Sequence, residues 1–187
     1  MADLGYLIIG GVLWNNIIVT HLLGLFPFLG EQPPTVRENG ILGLLTTVTI
    51  LVSLSAGLIL RPFVLDPLGI HYMEHLVIVL LVPTVAAILQ IAGRRVDWFP
   101  AHLLPRIFLN GAALGVVILK LESGSGAVES LVTAFGMGLG FTVLLILVRA
   151  IETRPETTLV PVWLRGMPLQ FITLGMIALA LKGLSGI

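Results

Sequence analysis

Residues 40–60 read GILGLLTTVTILVSLSAGLIL, a stretch with no charged side chain anywhere in it. At 1.5 Å rise per residue such a run matches the roughly 30 Å of a bilayer's hydrocarbon core. In hydrocarbon every backbone N–H and C=O must be satisfied within the protein, which leaves a helix or a closed barrel. The run is continuous rather than alternating, so it reads as a helix and not as a barrel strand. The rest of the chain agrees. Of 187 residues 57% are hydrophobic and 11% charged, with a mean hydropathy of +1.07. Soluble domains carry about a quarter charged residues. The composition therefore describes an integral membrane protein.

Six candidate spans follow, at about 4–26, 40–60, 71–93, 101–120, 128–150 and 167–185. Gly24 and Pro27 interrupt the first, and Pro105 the fourth. Both also carry polar residues at depth: Asn15, Asn16, Thr20 and His21 in the first, Asn110 in the fourth. MADLGYLIIGG at the start lacks a basic region and a small-residue cleavage site, so it reads as part of the first span. The links 31–39, 94–106 and 149–165 hold Arg37, Arg94, Arg95, Arg106, Arg149, Arg154 and Arg165, against Arg61, Lys120 and Lys182 opposite. That bias places the arginine-rich links in the cytoplasm and both termini outside. Net charge is zero, and no basic tract points to nucleic acid.

The two halves, about 1–93 and 94–187, share a layout. Each opens with an interrupted helix centred on an asparagine, Asn16 or Asn110, followed by a polar link, a glycine-rich span and a third span. Three spans per half is odd, so the second half must enter the membrane from the other side. The expected fold is a single all-α transmembrane domain of six helices, a 3+3 inverted-topology repeat with helices 1 and 4 broken. Such repeats bring broken helices together near the midplane. Asn15, Asn16, Thr20, His21 and Asn110 are accordingly candidates for a polar or ion pathway there, and equally for plain interhelical hydrogen bonding.

Other signals are local. His71-Tyr72-Met73-Glu74-His75 has the H-x-x-E-H spacing of a zinc site, so His71, Glu74 and His75 are weak metal candidates, although no distal third ligand is evident. Gly136, Gly138 and Gly140 suit close helix contact. Thr46, Thr47 and Thr49 can bond to carbonyls of their own helix. Tyr72, Trp98 and Trp163 fall at span ends as interfacial anchors do.

The pattern NNIIVTHLLGLFPFLG, then LNGAALG, then VPVWLRGMPLQFITLGMIALALKGLSG resembles the RnfA/NqrE membrane subunits of the Rnf and Nqr respiratory complexes. The block with Pro161, Arg165, Gly166 and Ile172–Gly175 carries most of the specificity. The resemblance implies a multi-pass subunit of the bacterial or archaeal cytoplasmic membrane. It implies pairing with a homologous six-helix subunit of opposite topology, within a complex that couples electron transfer to Na+ or H+ translocation. Iron–sulfur and flavin groups are expected in partner subunits. In that family each break carries a cysteine, and the pair helps to hold a midmembrane [2Fe–2S] cluster. Here the matching positions are Phe26 and Gly111, and the chain has no cysteine at all. His21, five residues before Phe26, is not a positional substitute. The expectation is a cysteine-less variant with no cofactor of its own, in which Phe26 fills the vacated volume and Gly111 relieves crowding opposite. Within it, either electrons bypass this subunit while the complex still moves ions, or the fold serves a non-redox transporter, channel or scaffold.

Overall fold

The chain is described by a computed structural model over residues 4–13, 15–24, 34–93, 103–108, 110–154 and 160–184. Every regular element among these is helical. In order they are α1 (Leu4–Val12), α2 (Ile17–His21), α3 (Val36–Leu60), α4 (Asp66–Leu68), α5 (Glu74–Gly93), α6 (Leu104–Phe108), α7 (Gly111–Glu122), α8 (Ala127–Glu152) and α9 (Met167–Leu184).

Three helical stretches are long and apolar enough to cross a membrane: 36–68, α5 and α8. They correspond to the uninterrupted runs expected at 40–60, 71–93 and 128–150. The first is longer than the apolar run alone. Its start is fixed by Thr35, whose hydroxyl accepts from the Glu38 N–H at 3.3 Å while the Glu38 carboxylate accepts from the Thr35 N–H at 2.7 Å. That reciprocal capping box adds a polar turn before the hydrocarbon-spanning part. At the other end α3 runs on through a π-helical turn, Arg61–Leu65, into α4, and stops at Gly69 in the left-handed conformation. The expected span at 71–93 opens as a short tight turn, 71–73, and becomes α-helical only at Glu74. α9 is apolar but shorter.

The centre of the molecule is the pair α3 and α8, which run antiparallel and lie close enough that side chains interlock. A Cβ added to Gly43 would lie 2.7 Å from Thr142 Cα, and one added to Gly138 would lie 2.7 Å from the Thr47 hydroxyl. Each helix therefore supplies one notch and one threonine, four residues apart, and each threonine fills the other's notch. The hydroxyls are satisfied within their own helices, Thr47 Oγ1 donating to the Gly43 carbonyl and Thr142 Oγ1 to that of Gly138, both at 2.9 Å. Small residues at such crossings let backbones approach and gain dispersion contacts where lipid offers no hydrophobic drive. Around this pair, α1 packs on α8 and α6 on α3. α2 packs on α8 and α7 on α3, while α9 touches α2 and α5 touches α7.

Candidate functional site: two capped helix breaks

The first break lies between α1 and α2. Asn16 is extended, with φ −74° and ψ 127°, which ends helical geometry at that residue. Its side chain repairs both ends. Oδ1 accepts from the Ile18 N–H at 3.1 Å, capping α2, while Nδ2 donates to the Val12 carbonyl at the end of α1 at 3.1 Å. Its own carbonyl accepts from Thr20 Oγ1 at 2.8 Å. Asn16 is 0% exposed, and a buried amide must find such partners, because an orphaned group costs about 1–3 kcal/mol. Room for it comes from Gly140 on α8. A Cβ there would lie 2.5 Å from Asn16 Nδ2 and 2.8 Å from the Val12 carbonyl oxygen. One turn earlier, a Cβ on Gly136 would meet the Ile8 carbonyl oxygen at 2.6 Å. The glycine run expected to permit close contact does so on two faces, Gly136 and Gly140 toward α1 and Gly138 toward α3.

The second break lies between α6 and α7. Asn110, 2% exposed, is also extended (φ −81°, ψ 101°), and its Oδ1 caps α7 by accepting from the Ala112 N–H at 3.0 Å. Nδ2 leaves the local segment and donates to the Thr46 hydroxyl on α3 at 2.8 Å. That hydroxyl in turn donates to the Leu42 carbonyl at 2.8 Å. Thr46 thus serves a helix break, a role that its place in a threonine-rich span does not announce.

The two breaks adjoin. α2 is a single turn that ends at Leu22, held at φ +53°, and the chain then turns at Gly24, φ +85°. A Cβ at Gly24 would lie 2.6 Å from Ala112 Cβ and 2.7 Å from Phe141 Cε2. One at Gly111 would lie 3.7 Å from the Gly24 backbone nitrogen. Only glycine meets both demands at position 24, the close approach and the positive φ. Gly111 therefore stands beside the stretch that leads to Phe26, and Phe26 itself lies outside the described residues.

The other sequence candidates lie nearer the surface. Asn15, Thr20 and His21 are exposed on the single chain, with the Thr20 hydroxyl reaching back to the Asn16 carbonyl. The H-x-x-E-H residues are also divided. Glu74 Oε1 lies 3.7 Å from Arg61 Nε, whereas His75 Nε2 pairs with Glu122 Oε1 at 2.6 Å at the end of α7. Arg61 Nη1 also donates to the Leu121 carbonyl at 2.8 Å, so this corner ties α7 to α3 and α5. The His71 side chain lies outside the described residues. Among the described residues no group of three or more His, Cys, Asp or Glu is arranged to hold a metal. Tyr72 and Trp163 are 79% and 75% exposed, as lipid-interface anchors would be in an isolated chain.

Among the described residues, three apolar helices long enough to cross a membrane and two adjoining asparagine-capped helix starts define a multi-pass membrane protein. Residues 5–187 match the family described as "Rnf-Nqr subunit, membrane protein", and the chain belongs to that family. Over its whole length it is 32% identical to a subunit of the ion-translocating oxidoreductase complex of Syntrophotalea carbinolica, covering 98% of that protein. The subunits of the same name from Edwardsiella ictaluri and Vibrio campbellii are 32% and 31% identical. The whole chain is again matched, covering 98% and 99% of those proteins.

Proposed function

We propose that this chain is a membrane subunit of an Rnf/Nqr-type complex in a prokaryotic cytoplasmic membrane, where redox chemistry in partner subunits drives Na+ or H+ translocation. Full-length similarity to ion-translocating oxidoreductase subunits supports this. So does the juxtaposition of two interrupted helices, which is the observation that carries the reading: Gly24, past the first break, lies against Gly111 and Ala112, which open α7 after the second. In this reading the protein is a 3+3 inverted repeat with both termini outside. Supporting it, the Gly-x-x-x-Thr motifs of α3 and α8 sit 95 residues apart (43 and 138, 47 and 142) and cross antiparallel with reciprocal contacts. Asn16 and Asn110, 94 residues apart, take the same capping role. The partner is a homologous subunit of opposite topology, alongside flavin- and iron–sulfur-bearing subunits.

The family's cluster does not fit the residues this chain offers. Iron–sulfur clusters are held by thiolates or, less often, by imidazoles. Gly111 has no side chain, the position matching the other break is Phe26, and no cysteine occurs anywhere. We therefore assign no electron-carrying step to this chain. Polar groups at the breaks, buried Asn16 and Asn110 foremost and exposed Asn15, Thr20 and His21 beside them, are left as candidates for an ion path.

Affinity purification of the tagged chain from native membranes tests the reading. Flavin- and iron–sulfur-bearing subunits are expected to co-purify, and the dissociated chain is expected to carry less than one iron atom per ten copies. A chain that purifies as a lone ion-conducting dimer would overturn the complex assignment. Stoichiometric iron on the dissociated chain would overturn the cluster-free one.

A further inference from the structure

The faces of α2 and α9 border an open groove of about 540 Å³, lined by Val19, Thr20, Gly175, Ala178, Leu179 and Lys182. Its α9 residues fall at positions i, i+3, i+4 and i+7, so they form one stripe that ends on a lysine. The stripe is about 10 Å long at 1.5 Å per residue. Gly175 and Ala178 hollow its middle, and a Cβ added to Gly175 would meet nothing within 4 Å. Lys182 lies in the last turn of α9, where a lysine keeps its stem along apolar surface and its ammonium at headgroup level.

We propose that this groove binds one phospholipid with an anionic headgroup, its phosphate beside Lys182 and the upper part of one acyl chain over Ala178 and Gly175 against Val19. Three features select that occupant. The volume lies within the range of small-molecule sites, the lining among the described residues is apolar apart from Thr20 and Lys182, and Lys182 sits in the last turn of α9, where a helix lying in lipid would meet headgroups. The Lys182 ammonium has three donors, so an interaction within the chain leaves capacity for a phosphate oxygen. Val19 and Thr20 belong to the single turn capped by Asn16, so the acyl chain would press on α2 immediately after the first break. The site requires only that α9 lie in lipid, and it stands apart from the redox reading.

Intact-mass measurement of the full chain released from nanodiscs of equal phosphatidylglycerol and phosphatidylcholine tests this. The wild type is expected to retain one lipid, favouring phosphatidylglycerol about five-fold, the factor one surface lysine contributes toward an anionic headgroup. Lys182→Gln is expected to keep a bound lipid and lose the preference. Gly175→Leu, which has open space for its side chain, is expected to retain neither lipid. Should that chain fail to fold, Ala178→Leu obstructs the same groove and is expected to give the same loss. Wild-type levels of phosphatidylglycerol on both the Gly175→Leu and Lys182→Gln chains, or no preference in the wild type, would overturn the proposal. So would loss of the lipid on assembly of the complex, which would mean that a helix of another subunit occupies the groove.

Discussion

The breaks at Asn16 and Asn110 use one residue type for one task and support it differently. Both asparagines cap the downstream helix with Oδ1. Asn16 spends its amide hydrogen on its own segment, on the Val12 carbonyl, and needs from the rest of the protein only the gap that Gly140 leaves. Asn110 spends its hydrogen across the molecule, on Thr46. The first break is locally closed and sterically dependent. The second is locally open and depends on a hydrogen bond to Thr46 on α3. An interrupted helix in lipid can thus be stabilised by a missing atom or by a supplied one, and the two supports fail in different ways.

The sharpest test removes the gap. Gly140→Val places a branched side chain against the backbone of α1 and against Asn16. Because backbone cannot rotate away, we expect a loss of about 3 kcal/mol or more, read as a lower thermal midpoint in detergent, with little change at the second break. Next comes Asn16→Ala, which loses a cap worth about 1 kcal/mol and orphans the Val12 carbonyl at a further 1–3 kcal/mol or so. It should therefore cost more than Asn110→Ala, whose partner Thr46 keeps its bond to Leu42. Equal costs would erase the distinction between the breaks.

A smaller effect, about 1 kcal/mol, is expected for Thr46→Val. In a double-mutant cycle it should couple to Asn110→Ala by at least about 0.5 kcal/mol and add simply to Asn16→Ala. Coupling to both would mean that the breaks share one network. Smallest of all, Thr47→Val and Thr142→Val each lose only a bond within their own helix. The two variants should each cost about 0.5 kcal/mol or less and agree within a few tenths, as reciprocal positions must.

Much of this could be read from the chain before its coordinates. Continuous apolar runs announce α3, α5 and α8, because length and lack of charge are enough to identify a bilayer-spanning helix. The asparagines mark the breaks, because a polar amide deep in such a run has few other uses. What escapes is tertiary. Nothing local to Asn110 names Thr46, 64 positions away, and nothing local to Gly43 names Thr142. Asn15, Thr20 and His21 are close in sequence to Asn16 and invite grouping with it. α2 is one turn long and buries only Ile17 and Ile18, which leaves Thr20 and His21 exposed on the single chain, Thr20 reaching Asn16 through the backbone carbonyl. The π-helical turn at Arg61–Leu65 also escapes, since Pro62 there reads as a stop signal rather than as a continuation into α4.

The mutual seating of Thr47 on Gly138 and of Thr142 on Gly43 has a mechanical corollary. Displacing α3 along α8 by one turn, about 5.4 Å, would bring Thr47 over Thr142 or Ala134, where a Cβ already occupies the space. A slip by one turn is therefore opposed in both directions by side chains already in place, and the doubly keyed crossing fixes the register of α3 against α8.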